Sequence, residues 1–88
     1  FAKCLADKGA KLYGAYWCPH CEDQKALFEG SKELPYIECS LPNRGGVTEI
    51  CKRDNIQTYP TWEFSDGERL TGLITLGKLS AKTGCELQ

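Results

Sequence analysis

The stretch Tyr16-Trp17-Cys18-Pro19-His20-Cys21 constrains this chain more than any other part of it. Two cysteines separated by two residues stand where an apolar run (Leu12, Tyr13, Ala15, Tyr16) gives way to a helix-compatible run from Glu22 to Glu29. That context places one thiol at a helix N-terminus and the second one turn in. Unpaired backbone N–H groups and the partial positive charge at that end favour a thiolate over a thiol, so Cys18 reads as an activated nucleophile. Pro19 suits the geometry, because proline is tolerated at the first helical position. Cys21 then faces the same end of the helix, placed to attack a mixed disulfide formed at Cys18 and resolve it.

Two other readings of the pair compete. It could supply half of a zinc site, with Cys39 and Cys51 as the other two ligands. Structural zinc pairs sit in tight knuckles and come as two close pairs, whereas Cys39 and Cys51 are twelve positions apart. A purely structural bond between Cys18 and Cys21 is weaker still, since so short a loop barely constrains the unfolded chain. The reading therefore assigns no metal and no cofactor beyond a redox-active Cys18–Cys21 disulfide.

Eighty-eight residues suggest a single domain, 1–88, with one modest core. The net charge is −1 and no basic run occurs, so neither nucleic acid nor an anionic membrane is implied as a partner. No apolar run approaches the roughly 20 residues of a membrane span, and no direct membrane insertion of this segment is expected. The chain has no methionine, begins with Phe1 and lacks a leader pattern, which reads as a soluble domain excised from a longer precursor. Six cysteines in such a length point to an oxidising compartment, a redox function, or both.

Along the chain, 1–8 reads as the end of a helix with Gly9 as its stop, and 11–16 as a buried strand. A helix is expected over 19–29, with Leu27 and Phe28 toward the core and Gly30 closing it. A second strand covers 35–39, and strand, helix, strand in that order implies a parallel pair. Residues 41–46 are loop by their Pro, Asn and Gly content. A third helix is expected from Val47 to Asn55, carrying Val47, Ile50 and Cys51 inward. Strands 61–64 and 68–71 form a hairpin through Ser65-Asp66-Gly67. Thr75 caps a last helix that carries Leu76 and Leu79 and ends at Gly84. The sum is an α/β fold: a four-stranded mixed sheet with helices on both faces.

This pattern resembles the thioredoxin superfamily, through Trp17-Cys18-Pro19-His20-Cys21 after a strand and Tyr59-Pro60-Thr61 before the hairpin. The resemblance implies a thioredoxin-like fold whose first strand is missing. A narrower resemblance runs through Tyr13 to Cys21, Gln24-Lys25, Leu27-Phe28, Pro35 to Cys39, Cys51-Lys52, Tyr59 to Glu63 and Thr83-Gly84. It is to the thioredoxin-like domain fused behind vitamin K epoxide reductase homologues in cyanobacteria and plant plastids. That family implies a domain in the thylakoid lumen or the bacterial periplasm. It would oxidise dithiols in substrate proteins and pass the electrons to a membrane-embedded, quinone-linked vitamin K epoxide reductase-like domain. The alternatives are a disulfide reductase or isomerase of the same fold, or a non-catalytic binding or assembly module whose cysteines serve structure.

The same resemblance implies roles for single residues. His20, between the cysteines, would stabilise the Cys18 thiolate and so make the disulfide a stronger oxidant, unless it is an ordinary exposed loop histidine. Thioredoxins carry a buried carboxylate six positions before the first motif cysteine; here that position is Leu12, which argues against efficient reductase behaviour. Tyr59-Pro60 matches the superfamily's cis-proline loop, whose backbone pairs with an extended substrate peptide, so Thr58, Tyr59 and Pro60 would line a substrate groove with Trp17 and Tyr16 as apolar contacts. The alternative is an ordinary trans proline opening an edge strand. Trp62 is assigned to the core. Cys39 and Cys51 are expected to form a disulfide, a staple in preference to a relay that exchanges with Cys18 and Cys21. For Cys4 and Cys85 three states stay open: paired with each other, paired with another chain, or free. Glu22, Asp23, Lys25, Glu29, Lys32 and Glu33 read as a solvated face.

Overall fold

Four short strands and four helices make up the computed structural model, which describes residues 1–87. The order is α1 (Ala2–Asp7), β1 (Lys11–Gly14), α2 (Pro19–Ala26), β2 (Tyr36–Glu38), a 3₁₀ turn at Pro42–Arg44, α3 (Glu49–Arg53), β3 (Thr61–Glu63), β4 (Arg69–Thr71) and α4 (Leu76–Thr83). The sheet runs β2-β1-β3-β4. β1 and β2 are parallel, with Leu12 opposite Tyr36, whereas β3 and β4 are antiparallel additions, with Trp62 opposite Leu12 and Leu70 opposite Trp62. This is the thioredoxin-like α/β architecture with a four-stranded mixed sheet.

Because side chains alternate across a strand, neighbouring residues of β1 feed two different cores. Leu12 and Trp62 face a cluster with Ala2 and Leu5 of α1, Phe28, and Leu79 of α4. Tyr13 faces the opposite cluster, with Cys39, Ile56 and Cys51 of α3. Helices therefore cover both faces. Leu12 and Tyr13 are both fully buried, which is why 11–16 has no polar alternation.

The helix ends follow sequence chemistry. Thr75 accepts a hydrogen bond from the Lys78 N–H at 3.1 Å as the N-cap of α4, and Gly84 closes that helix in the left-handed conformation, φ 79°. Two expectations need correction. Leu27 is 40% exposed because α2 ends at Ala26 and the chain turns there, leaving Phe28 alone to enter the core. Ile50 is 38% exposed because α3 has only five residues, starting at Glu49; Cys51 alone of that helix is buried, and Val47 instead bridges to Ser40 ahead of it.

Two disulfides clasp the fold. Cys4–Cys85 joins α1 to the segment after α4, and Cys39–Cys51 joins the end of β2 to α3. The first closes a loop across 81 positions and the second across 12. In the chain-entropy account their removal costs about 4.5 and about 3 kcal/mol respectively. Urea unfolding of the paired variants Cys4→Ala/Cys85→Ala and Cys39→Ala/Cys51→Ala is expected to show the larger loss for the first. The reverse order would refute loop closure as the main contribution.

Candidate active site

The site forms where β1 hands over to α2. After Gly14 the chain makes a tight turn, closed by the Cys18 N–H on the Ala15 carbonyl at 3.0 Å, and Cys18 becomes the extended N-cap of α2 with Pro19 in the first turn. The Cys18 carbonyl receives the Glu22 N–H at 3.1 Å, so the sulfur-bearing residue is tied into the helix start. Cys21 lies inside the first turn. Both thiols are free, and with Ala15 they form a small cluster on which Tyr59 packs.

Pro60 follows a cis peptide bond, so the trans alternative for Tyr59-Pro60 does not hold. The loop that contains it faces the motif: Cys18 Sγ stands 3.9 Å from the Tyr59 carbonyl oxygen, and the Tyr59 ring meets Trp17 edge-on at 5.9 Å. Thr58 is exposed and its carbonyl accepts from the Thr61 hydroxyl at 2.8 Å, which holds the loop to the start of β3. Trp17, Tyr59 and Pro60 are thus brought together around Cys18, with Thr58 at the outer edge. His20 sits at the second helical position, exposed, and among the described residues its side chain makes no hydrogen bond. Trp62 lies in the core, fully buried.

The two sulfurs are not equivalent. Cys18 is 7% exposed and Cys21 1%. Burial first, then a hydrogen bond with Cys18, pushes the Cys21 thiol up to about 12; the Ala15 backbone and Lys25 pull weakly the other way. Cys21 therefore holds its proton at neutral pH. It lies against the sheet at Gly14, where a β-carbon would stand 2.9 Å from Tyr36 Cε1 and 3.1 Å from Cys21 Sγ. Only glycine lets sulfur and aromatic ring approach the strand together.

Three features of the surroundings were not legible in the sequence. Gln24, fully buried, binds both backbone groups of Ile74, its amide donating to the Ile74 carbonyl at 3.0 Å and accepting the Ile74 N–H at 2.8 Å. This clamps α2 to the segment that leads into α4. Glu38 gathers three donors: the N–H groups of Tyr16 (3.1 Å) and Ser40 (3.0 Å) and the Tyr36 hydroxyl (2.9 Å). Lys25 is half-buried with its ammonium 4.6 Å from the Tyr36 ring centroid, so it is not part of a freely solvated face.

The loop after β2 forms one wall of the site. Trp17 donates its indole N–H to the Ser40 hydroxyl at 2.8 Å, and the Arg44 guanidinium lies 4.9 Å over the Trp17 ring. The Arg44 N–H also donates to the Tyr16 hydroxyl at 3.1 Å. Asn43 and Arg44 both adopt left-handed backbone, at φ 58° and 56°, a conformation that asparagine tolerates and that costs a residue such as arginine about 1–2 kcal/mol. The Ser40–Val47 bridge and the Cys39–Cys51 disulfide close the base of this loop. Both sulfurs of that disulfide are fully buried, which suits a staple better than an exchanging relay, and their bond withdraws the ligands that a four-thiolate zinc site would need. Cys4 and Cys85, left open by the sequence, are bonded to each other.

Against known proteins, no family model matches the chain. It is 43% identical over 91 aligned positions, 98% of its own length, to the thiol-disulfide oxidoreductase LTO1 of Arabidopsis thaliana. The chain is a homologue of a thiol-disulfide oxidoreductase. It spans 24% of that relative's length. The match supports a thioredoxin-like oxidoreductase, in keeping with a buried dithiol on a helix N-terminus.

Two measurements follow from this geometry. In Cys18→Ser the lone thiol is Cys21, and its alkylation by iodoacetamide at pH 8 is expected to be more than about a hundredfold slower than that of free cysteine, still rising beyond pH 10. A curve that levels off near the ordinary thiol range would show that burial does not control Cys21. Gly14→Ala is expected to lose about 1–3 kcal/mol in urea unfolding, because its methyl group meets the Tyr36 ring and the Cys21 sulfur. An unchanged midpoint would mean that the contact at Gly14 is loose.

Proposed function

We propose that this chain is a protein thiol-disulfide oxidoreductase acting as a dithiol oxidase, with Cys18 as the exchanging sulfur and Cys21 as its partner. In the oxidised protein a substrate thiolate attacks Cys18 Sγ, the Cys18–Cys21 bond breaks, and Cys21 leaves and takes up a proton. A second substrate thiolate then attacks the substrate sulfur of the mixed disulfide and expels Cys18. The substrate dithiol is oxidised and the two electrons rest on Cys18 and Cys21. The observation that carries this reading is the asymmetry of the pair: one sulfur at the helix N-cap beside the Tyr59 carbonyl, the other sealed beneath it.

Trp17, Thr58, Tyr59 and Pro60 would bind the substrate, the Tyr59 backbone pairing with an extended peptide as an added strand does. Pro19 fixes the helix start. His20 in Cys-Pro-His-Cys, together with Leu12 where reductases of this fold carry a carboxylate, supports the oxidising direction. No resident cofactor is needed beyond the disulfide. Two disulfides in 88 residues support an oxidising compartment, the thylakoid lumen or a bacterial periplasm. The electrons would pass to a membrane-embedded domain of the vitamin K epoxide reductase type and on to a quinone. The match to a quarter of a longer relative supports a single domain, 1–88, within a larger protein.

Equilibration with glutathione tests the direction. The potential is expected well above the about −270 mV of thioredoxin, toward the about −120 mV of strongly oxidising relatives of this chemistry. Cys18→Ser is expected to abolish oxidation of a reduced, unfolded substrate protein. A potential near that of thioredoxin would turn the assignment to a reductase, and activity surviving in Cys18→Ser would remove the proposed nucleophile.

A further inference from the structure

Cys21 must be deprotonated to attack, yet it sits where water has little access. When the reduced protein is recharged, Cys18 captures a sulfur of the oxidant and Cys21 has to displace it. The strand beneath offers no acceptor: Gly14 faces Cys21, and Leu12, two residues back on the same face, is apolar. The polar atom that does approach is the Tyr36 hydroxyl, which lies 3.1 Å from the position a Gly14 β-carbon would take, the same distance as Cys21 Sγ from that point. The two groups thus converge over Gly14.

We propose that Tyr36 and Glu38 are the proton path of Cys21. As Cys21 attacks Cys18 Sγ, its S–H proton passes to the Tyr36 oxygen across Gly14, while the Tyr36 proton moves to Glu38 Oε1 along the 2.9 Å hydrogen bond. The bond from Cys18 to the captured sulfur breaks and the Cys18–Cys21 bond forms. The captured sulfur is reduced and leaves as a thiolate, and Glu38, now a carboxylic acid, returns its proton to solvent. When Cys21 is the leaving group the same path runs backward.

Glu38 acts through Tyr36 and is a positioning residue in that sense. Its carboxylate is held in place by the Tyr16 and Ser40 N–H groups on Oε2, which leaves Oε1 for Tyr36. The other charged or titratable groups facing this path are Cys18, Glu22 and Lys25 from the motif and α2, and Tyr59 from the cis-proline loop. Lys25 covers the Tyr36 ring and is paired with Glu22 at 3.2 Å. Burial and the bond to Glu38 push the Tyr36 hydroxyl well above its ordinary range, as expected of a group that hands a proton on without holding a charge.

The inference rests on the oxidoreductase reading above, and the test separates the two. Reduced protein is mixed with glutathione disulfide, and capture at Cys18 and resolution by Cys21 are timed separately from pH 6 to 9. In Tyr36→Phe and in Glu38→Gln the ratio of resolution to capture at pH 7 is expected to fall about a hundredfold, the deficit shrinking as pH rises and hydroxide replaces the path. The double variant should be no slower than either single one. Glu38→Gln keeps an oxygen for the Tyr16 and Ser40 N–H groups, so it tests the path even if Tyr36→Phe disturbs packing. A ratio unchanged in both variants, or equal loss of both steps at every pH, overturns the path. No capture by the unaltered protein overturns the oxidoreductase reading itself.

Discussion

Everything at this site depends on how closely α2 lies on β1. With residue 14 lacking a β-carbon, the Cys21 sulfur and the Tyr36 ring both reach the strand, and the helix start lies close enough to bury Cys21. The Gln24 amide, bonded to both backbone groups of Ile74, holds the same helix one turn further on. A buried amide satisfied at both ends fixes orientation as well as contributing net stability, since any tilt of α2 would strand a polar group in the core. Two anchors of different chemistry thus set where the helix N-terminus points, and with it where Cys18 meets the Tyr59 carbonyl.

How much of this could be read from residue order divides along physical lines. Elements whose chemistry is local were legible: the N-cap Thr75, the Gly84 stop, the Asp66-Gly67 turn and the parallel pair implied by strand, helix, strand. So was the core role of Trp62. Ends of short elements were not, because packing decides them; Leu27 and Ile50 fit a helical repeat and yet point outward, since the helices stop or start beside them. Polar residues with long-range partners were invisible for a related reason. Gln24 meets Ile74 across 50 positions and Glu38 meets Tyr16 across 22, and no local signal marks either. The bonding of Cys4 to Cys85 is of the same kind, fixed by where α1 and the end of α4 dock.

The second disulfide gains meaning from what lies on its loop. Between Cys39 and Cys51 the chain carries Ser40 under the Trp17 indole and Arg44 over its ring, with two side-chain-bearing residues in left-handed backbone. Such conformations persist only where the surroundings over-determine them. Here the bridge at Ser40–Val47 and the buried sulfurs pin the ends, while the Tyr16 hydroxyl holds the apex through the Arg44 N–H. The Cys39–Cys51 disulfide therefore helps keep an exposed tryptophan in one orientation beside Cys18.

Sealing Cys21 creates a tension that the rest of the site has to resolve. In the proposed exchange, burial would shield the Cys21 sulfur and make its release as a free thiolate unfavourable, so that Cys18 would react first. The same burial would stall the second half of the cycle if no proton could enter or leave. A tyrosine whose hydroxyl is already bonded to a fixed carboxylate is suited to that place, since it can accept and donate in one motion without carrying charge into the core. On that proposal, nucleophile order and proton supply would both depend on one arrangement, the approach of Cys21 and Tyr36 over Gly14, so that neither could be altered without the other.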